Sequence, residues 1–436
     1  MSSVFIKPEI MKAGGAILLG LISLYGAATA QPGEKITREQ QTKLNMLKTE
    51  VKTDLTKNIL PYWIDRMTDK VNGGFYGRAD YLDKIYPDAE KGGILNARIL
   101  WTFSSAWRIL HDTAYLNSAT RAKDYILTHF IDNRYGGAYM SLDAKGEPAD
   151  TRKQVYTESF FIYALAEYSR ATGDIESLKK AMDIFDAVEK YAADRDGNGY
   201  FEVFSRDWKR LPDRLIGESS PKDEKTMNTH LHIMEAYANL YRVSGDKVVG
   251  ARLRNLVEIF LDKIIDRKSS HLICFLDRKW NSTSDVDSYG HDIESSWLLL
   301  EATALLGDKE LLARVKETCI KVANAGDEGI RPDGGMITEK DNSTGRIRTG
   351  RSWWEQAETV VGNLNAFELT GDQIYLDRSL NCWEYIKKYF VDNRNGGWYS
   401  GVSDTGEPGR GDKAGFWVCP YHNGRMCMEV IERVKD

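Results

Sequence analysis

The sequence predicts an all-α protein, an (α/α)6 barrel of six helical hairpins with short β-hairpin loops at the mouth, and two repeats predict it. The first is a turn. A hydrophobic helix ends at a short turn with Asp five times, at His111-Asp112, Gly173-Asp174, Gly245-Asp246, Gly307-Asp308 and Gly371-Asp372, at intervals of 62, 72, 62 and 64 residues. Each turn follows about 18 residues with apolar positions at i, i+3, i+4 and i+7, and precedes another amphipathic helix of about 18 to 20. Gly closes one helix in the left-handed conformation and Asp caps the next. The second repeat is a loop. FIDNRYGGAYMSLDAKGEP from Phe130 and FVDNRNGGWYSGVSDTGEP from Phe390 are near copies 260 residues apart, and related turns stand at Gly73-Gly74, Gly197-Gly199 and Gly334-Gly335.

Residues 1–30 fall outside this pattern. Lys12 is followed by an apolar run from Ala13 to Ala28 and by the small residues Ala28-Thr29-Ala30 before Gln31, which reads as a secretory signal with cleavage leaving a mature start near Gln31. Met11 is an alternative start with a tidier positive region, and Gln31, not Cys, gives no lipid anchor. Removing residues 1–30 takes away Lys7, Lys12 and Glu9 and moves the formal net charge from -5 to -6. Residues 31–436 then read as a single barrel domain. A first helix near 36–69 and a last near 416–434 complete twelve helices in six hairpins, a number that closes a ring. The Gly-Gly-aromatic segments make short hairpins at its mouth. Alternate helices face inward, beginning near 94, 154, 226, 290, 352 and 417, and these N-termini converge on one pocket.

Composition removes several classes of function. With 59 Lys+Arg against 64 Asp+Glu and no run of basic residues, the chain has no electrostatic footprint for a nucleic acid. Beyond the signal no stretch of 18 apolar residues follows, so no membrane partner is expected after cleavage. The 22 Tyr, 14 Phe and 11 Trp suit stacking on sugar rings as well as a large core. Five cysteines, odd in number and without C-x-x-C spacing, read as core thiols with at most one unassignable pair.

The inner helix starts carry polar residues unusual for core helices. They are Arg98; Tyr156 and Glu158; Asn228, His230, His232 and Glu235; His291, Asp292 and Glu294; Trp353, Trp354, Glu355 and Glu358; and Trp417, His422, Asn423 and Arg425. Four of the seven histidines stand here, whereas His111, His129 and His271 lie on outer helices or turns. Residues at i+3 and i+4 share a face and i+2 does not, so Asn228, His232 and Glu235 line up, with His230 on another face, and His291 pairs with Glu294. A carboxylate one turn from an imidazole orients it and raises its pKa for proton transfer near neutrality, or simply makes a stabilising pair. His230-x-His232 and His291-x-x-Glu294 also have metal-ligand spacing, but no HExxH, DxD-rich loop or Cys/His cluster accompanies them, and no metal is expected. No G-x-G-x-x-G after a strand, P-loop or G-x-S-x-G is present, so nucleotide, nicotinamide and serine-hydrolase chemistry finds no motif.

The segments KTMNTHLHIMEAYANLYR, SYGHDIESSWLLLEA, RSWWEQAETVVG and FWVCPYHNGRMCMEV resemble the signature segments of cellobiose 2-epimerases, in the N-acylglucosamine 2-epimerase superfamily. The resemblance covers essentially the whole mature chain, including ARILWTFSSAWR and the Gly-Gly-aromatic turns, and its (α/α)6 barrel agrees with the helix count. It implies a cofactor-free, reversible epimerisation at C2 of the reducing-end glucose or mannose of a β-1,4-linked disaccharide. Carried over by position, His291 and His422 are the acid/base pair, His232 assists, and Glu294 orients His291. Arg98 holds O1 or O2 of an enediolate; Tyr156, Glu158, Asn228 and Glu358 hold hydroxyls; Trp354 and Trp417 stack on sugar rings. Val418 stands where relatives often have Lys, and Gly424 where they often have Ser.

The family is usually cytosolic, whereas this start reads as periplasmic or secreted, acting as a monomer on oligosaccharide cut outside the inner membrane. Three rival readings use overlapping residues. A relative acting on a monosaccharide, by 2-epimerisation or aldose–ketose isomerisation, would use the same histidines. An (α/α)6 glycoside hydrolase needs a carboxylate pair, nominally Glu158 and Glu358, and a silent sugar-binding barrel needs no set of imidazoles.

Overall fold

The computed structural model describes residues 36–211 and 223–435; the proposed signal at residues 1–30 lies outside them. Twelve helices are present among the described residues. Helix α1 runs Arg38–Asp54, passes through a π-helical turn at Leu55–Ile59, and continues as Leu60–Asp65. The others are α2 Gly93–Leu110, α3 Thr113–Tyr125 extended by Ile126–Phe130, α4 Val155–Thr172, α5 Ile175–Tyr191, α6 Met227–Ser244, α7 Lys247–Ile259 extended by Phe260–Ile264, α8 Tyr289–Leu305, α9 Lys309–Asp327, α10 Trp353–Thr370, α11 Gln373–Tyr389 and α12 Tyr421–Arg433. The even-numbered helices touch in the order α2–α4–α6–α8–α10–α12–α2 and form the inner ring. Each odd helix from α3 to α11 packs on the inner helix before it, and α1 packs on α12, so the two ends of the described chain form the sixth hairpin. The fold is the all-α (α/α)6 barrel.

Burial follows the layers. On α2 every residue from Gly93 to Ala106 is buried, whereas outer α5 buries only one stripe, including Ala181, Ile184, Phe185 and Val188. That difference is why the outer helices show the cleaner 3.6-residue periodicity. The recurring turns work as the sequence implies. Asp112, Asp174, Asp246, Asp308 and Asp372 each accept a backbone N–H from the first turn of the following helix, a cap worth about 1 kcal/mol. His111, Gly173, Gly245 and Gly371 close the preceding helices in the left-handed region; after α8 the same conformation falls on Gly307.

Short strands rim the mouth. β1 (Lys91–Gly92) pairs with β2 (Ser141–Leu142), which also pairs with β3 (Pro148–Asp150). β4 (Lys153–Gln154) pairs with β5 (Val203–Phe204), and β6 (Lys225–Thr226) with β7 (Phe275–Leu276). β8 (Val286–Ser288) pairs with β9 (Glu339–Asp341), which pairs with β10 (Arg346–Arg348), and β11 (Arg351–Ser352) pairs with β12 (Gly401–Val402). Thus β1, β4, β6, β8 and β11 each lead directly into an inner helix, and antiparallel pairing with the next long loop fixes where that helix begins.

Buried lysines tie β1, β4, β6 and the loop before α12 to the glycine turns. Lys91 meets Asp69 at 2.8 Å, Lys153 meets Asp132 at 3.1 Å, Lys225 meets Asp194 at 3.0 Å and Lys413 meets Asp392 at 2.8 Å. Each Asp also accepts amides of its own turn, as Asp132 does from Arg134 and Tyr135. A buried charge is tolerated only when paired and hydrogen-bonded, and the repeated pair holds the rim.

One boundary differs from the sequence reading. The last inner helix starts at Tyr421, not near 417, because Pro420 occupies its N-cap and the residue before a proline is disfavoured from helical conformation. Trp417 therefore sits in the preceding loop.

Candidate active site

Counting from the first residue of each inner helix shows which side chains reach the barrel axis. The sixth residues are Arg98, Phe160, His232, Glu294 and Glu358, and these join one buried network together with His422 and Arg425 of α12. The fourth residues point away, since two residues along a helix turn the direction by about 200°. Glu158 accepts the Ala138 amide at 3.0 Å, His230 Nε2 that of Tyr200 at 3.0 Å, Asp292 that of Leu272 at 2.8 Å and Gln356 that of Met336 at 2.8 Å. These four brace the turns before Ala138, Tyr200, Leu272 and Met336 from below.

Three imidazoles line the site, each held through Nδ1. His422 Nδ1 is 2.7 Å from Glu358 Oε1, and His232 Nδ1 is 2.8 Å from Glu235 Oε2. An ionised carboxylate only accepts, so both rings commit the Nδ1 proton and keep the lone pair on Nε2. His291 Nδ1 is 2.7 Å from the hydroxyl of Ser288. Burial pulls His232 down to about 3 and His291 to about 4, and pushes His422 well below its ordinary value, aided by the Arg98 and Arg425 charges. All three are neutral at pH 7 and fit to accept a proton.

Arg425 is the counter-charge. Its Nη1 donates to Glu235, and its Nη2 donates to Glu294 Oε1 at 2.6 Å and Glu358 Oε1 at 2.7 Å. Trp297 Nε1 donates to the second Glu358 oxygen at 3.0 Å. Glu294, Glu358 and His422 lie close enough to hold a metal ion, but the donor set already faces the guanidinium, which does not leave a cation vacancy between the carboxylates. His230 offers nothing to a metal either: Thr226 O lies 2.7 Å from its Nδ1, and its Nε2 is used.

At the mouth, Arg98 Nη2 donates to Tyr156 Oη at 2.9 Å and Nη1 to the Trp417 carbonyl at 3.4 Å, and its guanidinium lies 4.2 Å over Phe160. Tyr156 sits edge-on to His232 and Trp417. Trp354 packs against both His291 and His422, with ring centroids 4.8 and 5.7 Å apart respectively. Gly290 makes this possible, since a Cβ there would stand 2.6 Å from the Trp354 ring. Asn228 is half-buried with its Oδ1 lacking a protein partner, and Trp417 is 39% exposed.

The structure thus gathers Arg98, Tyr156, His232, His291, Trp354 and His422 around one space and revises three roles. Glu158 does not face it: burial raises this carboxyl to about 7 beneath the 136–138 turn, where a Cβ on Gly137 would collide with it. Glu294 does not orient His291, because Arg425 holds it and Ser288 holds the ring. Glu358 does not hold a hydroxyl, because its oxygens are taken by His422, Arg425 and Trp297. Sequence reasoning gave Arg425 and Ser288 no role. The signal for Arg425 was the charge count, six carboxylates at the inner starts against only Arg98 and Arg425 as cations.

Neutral imidazoles beside a buried guanidinium can take a weakly acidic proton and stabilise the oxyanion that forms. The carboxylate pair of a glycoside hydrolase is absent from this arrangement, since neither Glu158 nor Glu358 is open to a sugar.

Comparison with known proteins agrees with this chemistry. The N-acylglucosamine 2-epimerase (GlcNAc 2-epimerase) family profile matches residues 74–423. A cellobiose 2-epimerase of Bacteroides fragilis is 49% identical over 387 residues, covering 88% of this chain and 99% of its own length. One from Ruminococcus albus is 40% identical over 393 residues, covering 90% and 100%. The solved cellobiose 2-epimerase of Bacillus thermoamylovorans superposes with a TM-score of 0.86 at 40% identity, over 89% of this chain and 100% of its own. The chain belongs to the N-acylglucosamine 2-epimerase family, and within that family it is similar to the cellobiose 2-epimerases.

Proposed function

We propose that this carbohydrate epimerase inverts C2 of the reducing-end glucose or mannose of a β-1,4-linked disaccharide, cellobiose or mannobiose. The observation that carries the reading is the placement of His291 and His422 against one indole, that of Trp354, both neutral, with the Arg98 charge acting on His422. C2–H is acidic only when the sugar is open and C1 is an aldehyde. One imidazole then removes the C2 proton and becomes an imidazolium, and the electron pair moves into a C1–C2 enediolate held by Arg98. The second imidazole takes up a solvent proton and delivers it to the opposite face of C2, and the first loses its proton to solvent, so that both end neutral. Trp354 and the exposed Trp417 supply flat faces for sugar rings, Asn228 a free hydroxyl acceptor, and His232 a third proton carrier. The chain's own residues complete this chemistry, so no cofactor or metal enters the proposal.

NMR of the protein in D2O with cellobiose, and separately with mannobiose, tests the reading. Deuterium at C2 together with glucose/mannose exchange at the reducing end is the expected result, and the relative rates choose the substrate. A ketose product would identify an aldose–ketose isomerase instead, and undeuterated disaccharide would reject the reading and direct the assay to free glucose, mannose and N-acylhexosamines.

The pH dependence follows from burial. With His291 at about 4 and His232 at about 3, kcat/KM is expected to hold down to about pH 5 and to fall as the pH approaches 4. A free imidazole would lose half its activity near 6.5. The same depression makes the unfolded chain take up these protons first, so stability present above pH 6.5 is lost as pH falls toward 4. Rates are therefore to be read from initial velocities, with thermal unfolding followed in parallel.

We also read residues 1–30 as an export signal, placing the mature protein in the periplasm or outside the cell. No helix among the described residues is long and apolar enough to cross a membrane. N-terminal sequencing of the exported protein is expected to begin near Gln31.

A further inference from the structure

Five of the six inner helices are entered from a short strand, and at three of these junctions the last residue before the helix caps it with its side chain. Gln154 and Thr226 each turn the side chain back onto their own helix, accepting the amides of Thr157 and Thr229 at 3.3 and 3.2 Å. Ser352 does the same in a capping box with Glu355. Ser288 occupies the equivalent place before α8, buried, and serine is among the best residues for it. Its hydroxyl nevertheless accepts no backbone amide of that helix. It lies instead 2.7 Å from His291 Nδ1.

We propose that Ser288 is the positioning residue of His291, diverted from helix capping to hold this imidazole with an uncharged partner. The proposal rests on the epimerase reading and deepens it. Two restraints fix the hydroxyl: β8 pairs Ser288 with Glu339 of β9, and Trp354 packs against the ring it holds. The partner's chemistry separates His291 from the other two rings. Glu358 and Glu235 lock His422 and His232 into one tautomer, whereas a hydroxyl donates or accepts and leaves the tautomer of His291 open. His291 is thereby the imidazole whose tautomer its partner leaves free, set against a carboxylate-locked His422. A ring whose tautomer is open can present either a lone pair or an N–H to the substrate.

The charged groups around His291 leave the role to Ser288. Glu294 is the nearest electrostatic partner and is held by Arg425, and His232 opposes protonation. Glu355, against which a Cβ on Gly290 would press, is pushed up to about 8 by burial and is uncharged at pH 7.

Three variants of the full chain test the assignment. Ser288→Ala is expected to lower kcat about 10- to 100-fold with KM within about twofold, and Ser288→Thr to restore kcat to within a few-fold. Ser288→Asp is the decisive one. Aspartate caps a helix as well as serine does, so a purely structural role predicts wild-type behaviour. A positioning role predicts a new carboxylate against Nδ1, raising the His291 pKa by about 1 to 3 units and moving the acid limb of kcat/KM upward. The His291 ring protons, assigned with His291→Ala, titrate by NMR whether or not turnover occurs. If wild-type protein does not epimerise either disaccharide, the functional reading fails while this titration still decides the contact. A Ser288→Asp titration matching wild type, or Ser288→Ala with wild-type kcat, overturns the proposal. Should the alanine variant not fold, the threonine and aspartate variants carry the test.

Discussion

Replacing His422 by alanine is expected to lower kcat for disaccharide epimerisation by about 10³-fold, within the range of a lost general acid–base group, while the protein stays folded. The activity loss follows from position. His422 is the ring whose Nδ1 proton is fixed by Glu358 at 2.7 Å and which packs against Trp354, so no neighbour on α12 can take its place. The fold survives because Glu358 keeps Arg425 and Trp297 as partners when the imidazole leaves, and no buried carboxylate is orphaned. His291→Ala is expected to give a loss of the same order. His111→Ala is the control, since His111 caps α2 in the left-handed region and packs on Trp107, away from the pocket. Steady-state rates and thermal unfolding of the three variants check this, and a comparable loss in all three would sink the site assignment.

What the sequence carried openly was local. The Asp turns were legible because a cap and its helix lie within four residues, and the pairing of His232 with Glu235 because helix geometry fixes it at i, i+3. The same rule put His230 on another face, where it braces Tyr200. The misassigned roles came from contacts that close around the barrel. Arg425 meets Glu294 and Glu235 across 131 and 190 residues, separations at which spacing says nothing. Glu158 was mistaken for a pocket residue because each helix start was read alone. Registered by first residue, it aligns with His230, Asp292 and Gln356, all brace residues, whereas Glu358 aligns with Arg98, His232 and Glu294. The start of α12 was set by Pro420, a residue whose effect was available in the sequence and outweighed by the aromatic Trp417 beside it.

Arg425→Leu is expected to produce the largest loss of stability, about 3 to 5 kcal/mol, the cost typical of removing one partner from a buried ion network. Three buried carboxylates depend on this guanidinium, and a single ammonium cannot span them as the planar fork does. Glu235 would retain His232 and Tyr421, but Glu294 and Glu358 would face each other without a cation between them. Burial already raises all three carboxyls, and losing Arg425 raises them further. The folded variant then holds protons that the unfolded chain releases near the ordinary carboxyl value of 4.5, so its stability falls as pH rises above that value. The variant is accordingly expected to be more nearly wild-type at pH 5 than at pH 8, in urea unfolding at both. A penalty independent of pH would mean that Arg425 acts by filling space beside Trp297 and not by neutralising the carboxylates that hold the catalytic imidazoles.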